Sequence, residues 1–237
     1  MLNVSIKPLP AVIANTRHGP CHLRSVPDRE ENLILRNGDC LYRMGDEIDE
    51  VYLVNSGAMK VHRFSESGEQ QILGFYLAGD IVGLEALSTG IACSEAVALD
   101  TTSITRIRLS SVFEGREAFT SQDLVRLMGV SLTRENDLAM MLSQRTADRR
   151  LAWFLTEYAN RLAVIGFSPK EFSLTMTRTD MALYLGLALE TVCRELAGFE
   201  EQGLISKDRR RIKLLDIDAL KHLATGDEHL PLAELTH

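Results

Sequence analysis

Between residues 181 and 199, apolar side chains recur at helical spacing in two short runs separated by Gly186. Met181, Ala182 and Leu185 line one stripe; Leu189, Val192, Leu196 and Phe199 line the other. Each run predicts a short amphipathic helix with that stripe in the core. Glycine between them lets the backbone bend where a side chain would be strained. The outer side of the second helix then carries Glu190, Thr191, Cys193 and Arg194. Gly203 ends it. Leu204-Ile205-Ser206 and Ile212-Lys213-Leu214-Leu215 follow as two short strands around the basic turn Lys207-Asp208-Arg209-Arg210-Arg211. The pattern predicts a helix-turn-helix with a β-hairpin wing.

Upstream the periodicity changes. From Leu33 to about Leu109, Gly45, Gly57, Gly68 and Gly79 recur at intervals of 12, 11 and 11, with strand-like runs such as Val51–Val54, Met59–Phe64 and Gln71–Tyr76 between them. That spacing predicts an antiparallel β-roll or jelly roll. A long helix is predicted from Ser121 to Arg145, its stripe formed by Leu124, Leu127, Met128, Leu132, Leu138, Met141 and Leu142. The stripe suits either an intradomain core or a two-stranded dimer seam, and a dimer fits a protein that reads two half-sites. A further helix runs from Leu151 to Ile165, with Trp153, Phe154, Tyr158 and Leu162. The fold class is therefore α+β. The expected layout is a flexible arm (1–30), a β-roll (31–116), a dimerisation helix (117–146), a winged helix-turn-helix (147–224) and a mobile tail (225–237).

Composition refines this picture. The 237 residues carry a formal charge of -7, which by itself argues against a nucleic-acid partner. Residues 144–213, however, hold 12 Lys and Arg against 9 Asp and Glu, so the acidity lies elsewhere. No apolar run has transmembrane length and no signal-like segment stands at the N-terminus, so a cytoplasmic protein with no membrane partner is expected. Cys21, Cys40, Cys93 and Cys193 have no metal-site spacing. His18, His22, His62, His222, His229 and His237 form no triad or metal motif. No enzyme, metal or cofactor is expected.

The candidate chemistry is DNA reading. On a helix entering the major groove, Arg194 can bind guanine O6 and N7 together and Glu190 can accept from cytosine N4. Cys193 stands between them as a third base-reading position. Arg178, Thr179 and Thr191, with Arg209, Arg210 and Arg211 of the wing, are expected on phosphates.

Gly166–Phe172, Leu174–Arg178, Tyr184–Leu187 and Gly74–Gly83, in this order of domains, resemble the CRP/FNR superfamily of bacterial transcription regulators. The resemblance runs from about Gly38 to Leu215. The reading motif of the FNR-like branch, Glu-x-x-Ser-Arg, stands here as Glu190, Cys193 and Arg194. The departures are equally informative. The cysteines that hold the iron–sulfur cluster of that branch are missing: only Cys21 lies near the N-terminal group, and Thr105 stands at the internal position. Leu84 and Cys93 stand where the cyclic-AMP branch has its ribose glutamate and phosphate arginine, so a nucleotide phosphate would be unpaired. Ala188 replaces the Ser/Thr N-cap of the reading helix.

Without cluster or nucleotide pocket, the chain resembles the FixK-type subgroup, which activates genes of microaerobic respiration, denitrification or nitrogen fixation. The resemblance implies a homodimer on a two-fold TTGAT-N4-ATCAA site and contacts with RNA polymerase. Cys193 is either a small stand-in for serine or a redox-sensitive thiol, made reactive by Arg194 and the helix N-terminus. A ligand sensor of the same architecture, binding haem or another small molecule, is the alternative; His62 is the axial ligand it would use, although an isolated strand histidine is usually a surface residue.

Overall fold

The computed structural model describes residues 32–115, 119–143 and 146–226. The expected arm, residues 1–30, lies outside them with His18, Cys21 and His22; so do Arg145 and residues 227–237, with His229 and His237. By contact the chain falls into two compact units: residues up to 59 with 76–123, and residues 60–75 with 124 onward.

Eight strands come first: β1 (Asn32–Leu35), β2 (Cys40–Tyr42), β3 (Glu50–Ser56), β4 (Ala58–Phe64), β5 (Gln70–Leu77), β6 (Ile81–Val82), β7 (Glu95–Ala98) and β8 (Thr102–Arg108). They form two four-stranded sheets, ordered β1-β8-β3-β6 and β2-β7-β4-β5. The β-roll expected from the glycine spacing is present. Val51, Tyr52, Leu53 and Val54 are all buried, so β3 is covered on both faces. Gly57 turns β3 into β4 at φ +86°, and a Cβ there would lie 2.5 Å from the Thr101 carbonyl oxygen. Only glycine fits. Beside it the Thr102 hydroxyl donates to the Ala58 carbonyl (3.0 Å) and accepts from the Ala58 amide (3.2 Å), satisfying a buried turn.

Leu84–Ser88 forms one 3-10 turn after β6. Its Glu85 accepts hydrogen bonds from the Tyr42 hydroxyl at 2.7 Å and from the Ser94 hydroxyl. Burial, reinforced by the Glu85 charge, pushes the Tyr42 phenol far above its ordinary value, so it stays a donor. A short helix, α1 (Leu109–Phe113), follows β8; five residues offer too little periodicity to announce it.

The helices α2 (Ser121–Leu142) and α3 (Ala147–Val164) stand where the long patterns placed them, with shifted ends. The stripe of α2 divides. Leu124 and Met141 are buried and Leu127, Leu138 and Leu142 half-buried, whereas Met128 and Leu132 are exposed. Val125 and Met140, absent from the expected stripe, are also exposed. The helix thus has an inner and an outer apolar face, which one sequence window merges into a broad band. His62 corrects another expectation: it is 5% exposed, its ring edge-on to Phe64 at 5.4 Å, and not a surface residue.

The second unit is knit by aromatic rings. Phe75, Phe154 and Tyr184 meet one another, Phe154 also stacks on Tyr158, and Tyr158 meets Phe172, with centroids 5.0 to 6.0 Å apart. Arg161 of α3 donates to the Phe75 carbonyl at 2.7 Å. Asp180 is the unit's buried acid. Its Oδ1 takes the Lys60 ammonium at 2.5 Å, and its Oδ2 accepts from the Thr177 amide (3.0 Å) and hydroxyl (2.7 Å). Burial alone would raise the Asp180 carboxyl, but the hydrogen bonds from Lys60 and Thr177 outweigh it and hold the group below its ordinary value. A depressed folded-state pKa contributes stability above the unfolded value, lost as the pH falls through the folded one. Thermal melts should therefore lose stability as the pH drops below about 4. In Asp180→Asn that acid-dependent loss should be smaller, and the neutral-pH melting temperature should already be lower, because the half-buried Lys60 charge loses its counter-ion.

Candidate nucleic-acid interface

Two short helices, α4 (Arg178–Leu185) and α5 (Leu189–Glu201), pack in the second unit with α3 and a three-stranded sheet. The sheet is ordered β10 (Ile205–Asp208), β11 (Arg211–Leu214), β9 (Glu171–Ser173). The last helix among the described residues, α6 (Ile217–Thr225), packs on α3. The wing hairpin was legible in the sequence; β9 and α6 were not anticipated. Strand β9 has three residues and is defined only by pairing with β11, Phe172 opposite Ile212.

Local chemistry fixes where α4 begins and ends. Thr177 and Asp180 form a reciprocal capping box at its start, readable in the sequence as Thr-x-x-Asp but missed. Gly186 closes it in the left-handed region at φ +61°. From α3, Arg150 Nη1 donates to the carbonyls of Leu185 (3.1 Å) and Gly186 (3.4 Å), binding acceptors that a helix end leaves open. The turn between the helices is thereby held from outside. At the start of α5, Ala188 supplies no side-chain cap.

Val192, Leu196 and Phe199 of α5 are buried, as the stripe implied. Leu189 departs from that expectation: it is 39% exposed. It occupies the first helical position, before the helix has turned its stripe fully under cover. Glu190, Cys193 and Arg194 stand exposed together on the first two turns, and Thr191 is half-buried. The Arg194 guanidinium rests on Glu195, 3.1 Å from its carboxylate. An exposed pair of this kind is weak and readily exchanged for another acceptor.

The expected phosphate contacts divide. Thr179 is exposed on α4. Arg209 and Arg210 form the two-residue tip of the wing, Arg209 at φ +52°, both exposed. Arg211 belongs to β11 and lies 3.5 Å from Glu171 across the sheet, so it is already partnered. Lys207 is likewise paired with Glu200 at 2.5 Å. Arg178 is half-buried: Nη2 donates to the Arg209 carbonyl at 3.2 Å, and Nη1 is buried with no hydrogen bond among the described residues. Burial lowers its pKa, and the neighbouring Cys193 acts in the opposite direction. Arg178 therefore ties the start of α4 to the tip of the wing. Sequence spacing could not show this, because the contact spans 31 residues.

Among the described residues no three His, Cys, Asp or Glu side chains gather to hold a metal. The missing cap on α5 has a measurable cost. Ala188→Ser should restore an N-cap hydrogen bond worth about 1 kcal/mol. In calorimetry that would appear as a melting temperature higher by about 2–4 °C.

Residues 33–117 match the cyclic nucleotide-binding domain family and residues 149–223 the Crp-like helix-turn-helix domain family. Over 204 residues the chain is 37% identical to the fumarate and nitrate reduction regulatory protein of Salmonella typhi, covering 83% of this chain and 82% of that one. The same protein from Escherichia coli K12 matches at the same identity and the same coverage of both chains. Among solved structures, FixK2 from Bradyrhizobium japonicum superposes with a TM-score of 0.72 at 31% identity, over 82% of this chain and 97% of that one. With a β-roll of the first family and a winged helix-turn-helix of the second in one polypeptide, the chain belongs to the CRP/FNR family of DNA-binding transcription regulators.

Proposed function

We propose that this regulator is a homodimeric activator of microaerobic or anaerobic genes, reading a two-fold operator of the TTGAT-N4-ATCAA type and touching RNA polymerase from there. The observation that carries the reading is the surface of α5, where Glu190, Cys193 and Arg194 stand exposed beside one another. Arg194 leaves Glu195 for a guanine, Glu190 accepts from a cytosine N4, and Thr179, Thr191, Arg209 and Arg210 hold phosphates. Arg178 acts mainly as a brace for the wing, and Arg211 contributes to the field more than to a contact. Relatives named for fumarate and nitrate reduction support the anaerobic assignment.

The outer face of α2, with Val125, Met128, Leu132 and Met140 exposed, supports pairing with a second copy. Two such copies would present two reading helices to half-sites about one DNA turn apart. Glu85, next to Leu84, is bonded to Ser94, next to Cys93. A carboxylate at that place repels a nucleotide phosphate, which supports a regulator needing no small ligand. The haem-sensing variant has less in its favour, since its proposed ligand His62 is packed against Phe64. No described helix is long and apolar enough to cross a membrane, and a regulator of this kind works in the cytoplasm.

Operator titration by fluorescence anisotropy tests the reading. Arg194→Ala should forfeit about 1–3 kcal/mol of discrimination at one base pair per half-site. Arg210→Ala should weaken all sequences alike and reduce the salt slope by about one. A wild-type protein that binds the operator no better than a scrambled duplex would refute the assignment.

Cys193 supplies a redox control on the same surface. It is a free thiol, exposed on the first turns of α5 beside Arg194. Attack of the thiolate on hydrogen peroxide breaks the O–O bond and gives the sulfenic acid and hydroxide, which solvent protonates; a second peroxide gives the anionic sulfinate, a proton and water, and the sulfinate repels DNA phosphate. Peroxide treatment should weaken operator binding by wild type and spare Cys193→Ser. Equal loss in both would exclude this control.

A further inference from the structure

A helix disfavours a cation in its first turn, where the backbone dipole is positive. Arg178 is nevertheless the first residue of α4. It is also half-buried, and Nη1 of its guanidinium is buried without a hydrogen bond among the described residues. An arginine keeps its charge in a folded protein, so that burial is a standing cost. Arg209 and Arg210, at the tip of the wing, stand exposed as a phosphate-binding arginine would. Arg178 instead donates from Nη2 to the Arg209 carbonyl at 3.2 Å.

That carbonyl belongs to a strained residue. Asp208 pairs with Arg211, so the β10–β11 hairpin closes on a two-residue turn, Arg209 and Arg210. Such a turn needs a left-handed residue, and glycine, asparagine or aspartate normally supplies it. Here Arg209 takes φ +52°, the only positive φ at a non-glycine position among the described residues. The next carbonyl, that of Arg210, accepts from the Leu174 amide at 2.9 Å. Both tip carbonyls are thus tied back to residues 174–178, and both tip side chains are left to project.

We infer that Arg178 is a positioning residue: its guanidinium holds the turn in the left-handed shape that displays Arg209 and Arg210, and does not itself touch DNA. This rests on the proposed function, in which those two arginines hold phosphates. Without the brace, Arg209 relaxes toward negative φ and the tip samples several shapes. Binding then has to order it, which lowers affinity without altering which bases are read. Glycine at position 209 would hold the same φ unassisted, so the brace can be separated from a direct contact.

Duplex binding is measured for wild type, Arg178→Gln, Arg209→Gly and the double variant. Arg178→Gln should bind the operator and a scrambled duplex each about fivefold more weakly, the cost of ordering a short loop. In the Arg209→Gly background the same change should cost less than about twofold. Arg178→Lys keeps the charge but lacks the reach and the planar fork, so it should lose nearly as much as Arg178→Gln. In the free protein, hydrogen exchange across residues 205–214 should quicken in Arg178→Gln, while exchange in α5 and the melting temperature stay as in wild type. A loss of the same size in the Arg209→Gly background would overturn the inference, because Arg178 would then contact DNA itself. So would full affinity in Arg178→Gln or Arg178→Lys, or unchanged exchange in the wing. Arg209→Ala and Arg210→Ala both binding like wild type would be a different failure, removing the proposed wing contacts and the role of Arg178 with them.

Discussion

The apolar side of α5 governs the rest of the DNA-binding unit. Val192, Leu196 and Phe199 are each at most 2% exposed. Burying side chains of this size stabilises the fold by about 1.5–3 kcal/mol each. A helix whose one side is so committed has no rotational freedom, and its opposite side faces outward by geometry. That is why Glu190, Cys193 and Arg194 appear together on the exposed side. The surface proposed to read DNA is the complement of the surface that packs.

Precision at that surface comes from further away. Arg150 holds the carbonyls at the end of α4, Lys60 and Thr177 saturate the acid at its beginning, and Arg178 ties its first turn to the wing carbonyl of Arg209. The contacts at Leu185 and Asp180 satisfy polar groups that burial would otherwise penalise. Together they set the angle between α4, α5 and the wing. Because α5 lacks a side-chain cap, that angle rests on these long-range bonds more than in a helix that starts with Ser or Thr.

The β-roll illustrates how a fold keeps its frame while changing its site. Sheet order, the Gly57 turn and the buried Thr102 bridge are matters of backbone geometry. The segment around Glu85 is a matter of side chains. There a tyrosine, a serine and a carboxylate satisfy one another internally. The scaffold and the chemistry it carries are separable.

The sequence by itself determined the order of domains, the helix-turn-helix, the wing and the outward placing of Glu190, Cys193 and Arg194 on α5. Each of these rests on local periodicity, turn residues or a short motif, which neighbours in the chain set for themselves. Even the Thr177–Asp180 cap was written there, though it went unread. Tertiary structure alone decided which apolar positions stay uncovered. Leu189 and the outer face of α2 have the same hydrophobic character as their buried neighbours and differ only in what lies opposite. It also decided that Arg178 and Arg211 are engaged while Arg209 and Arg210 are presented. Periodicity records how apolar a position is; burial depends on a partner that arrives from distant sequence.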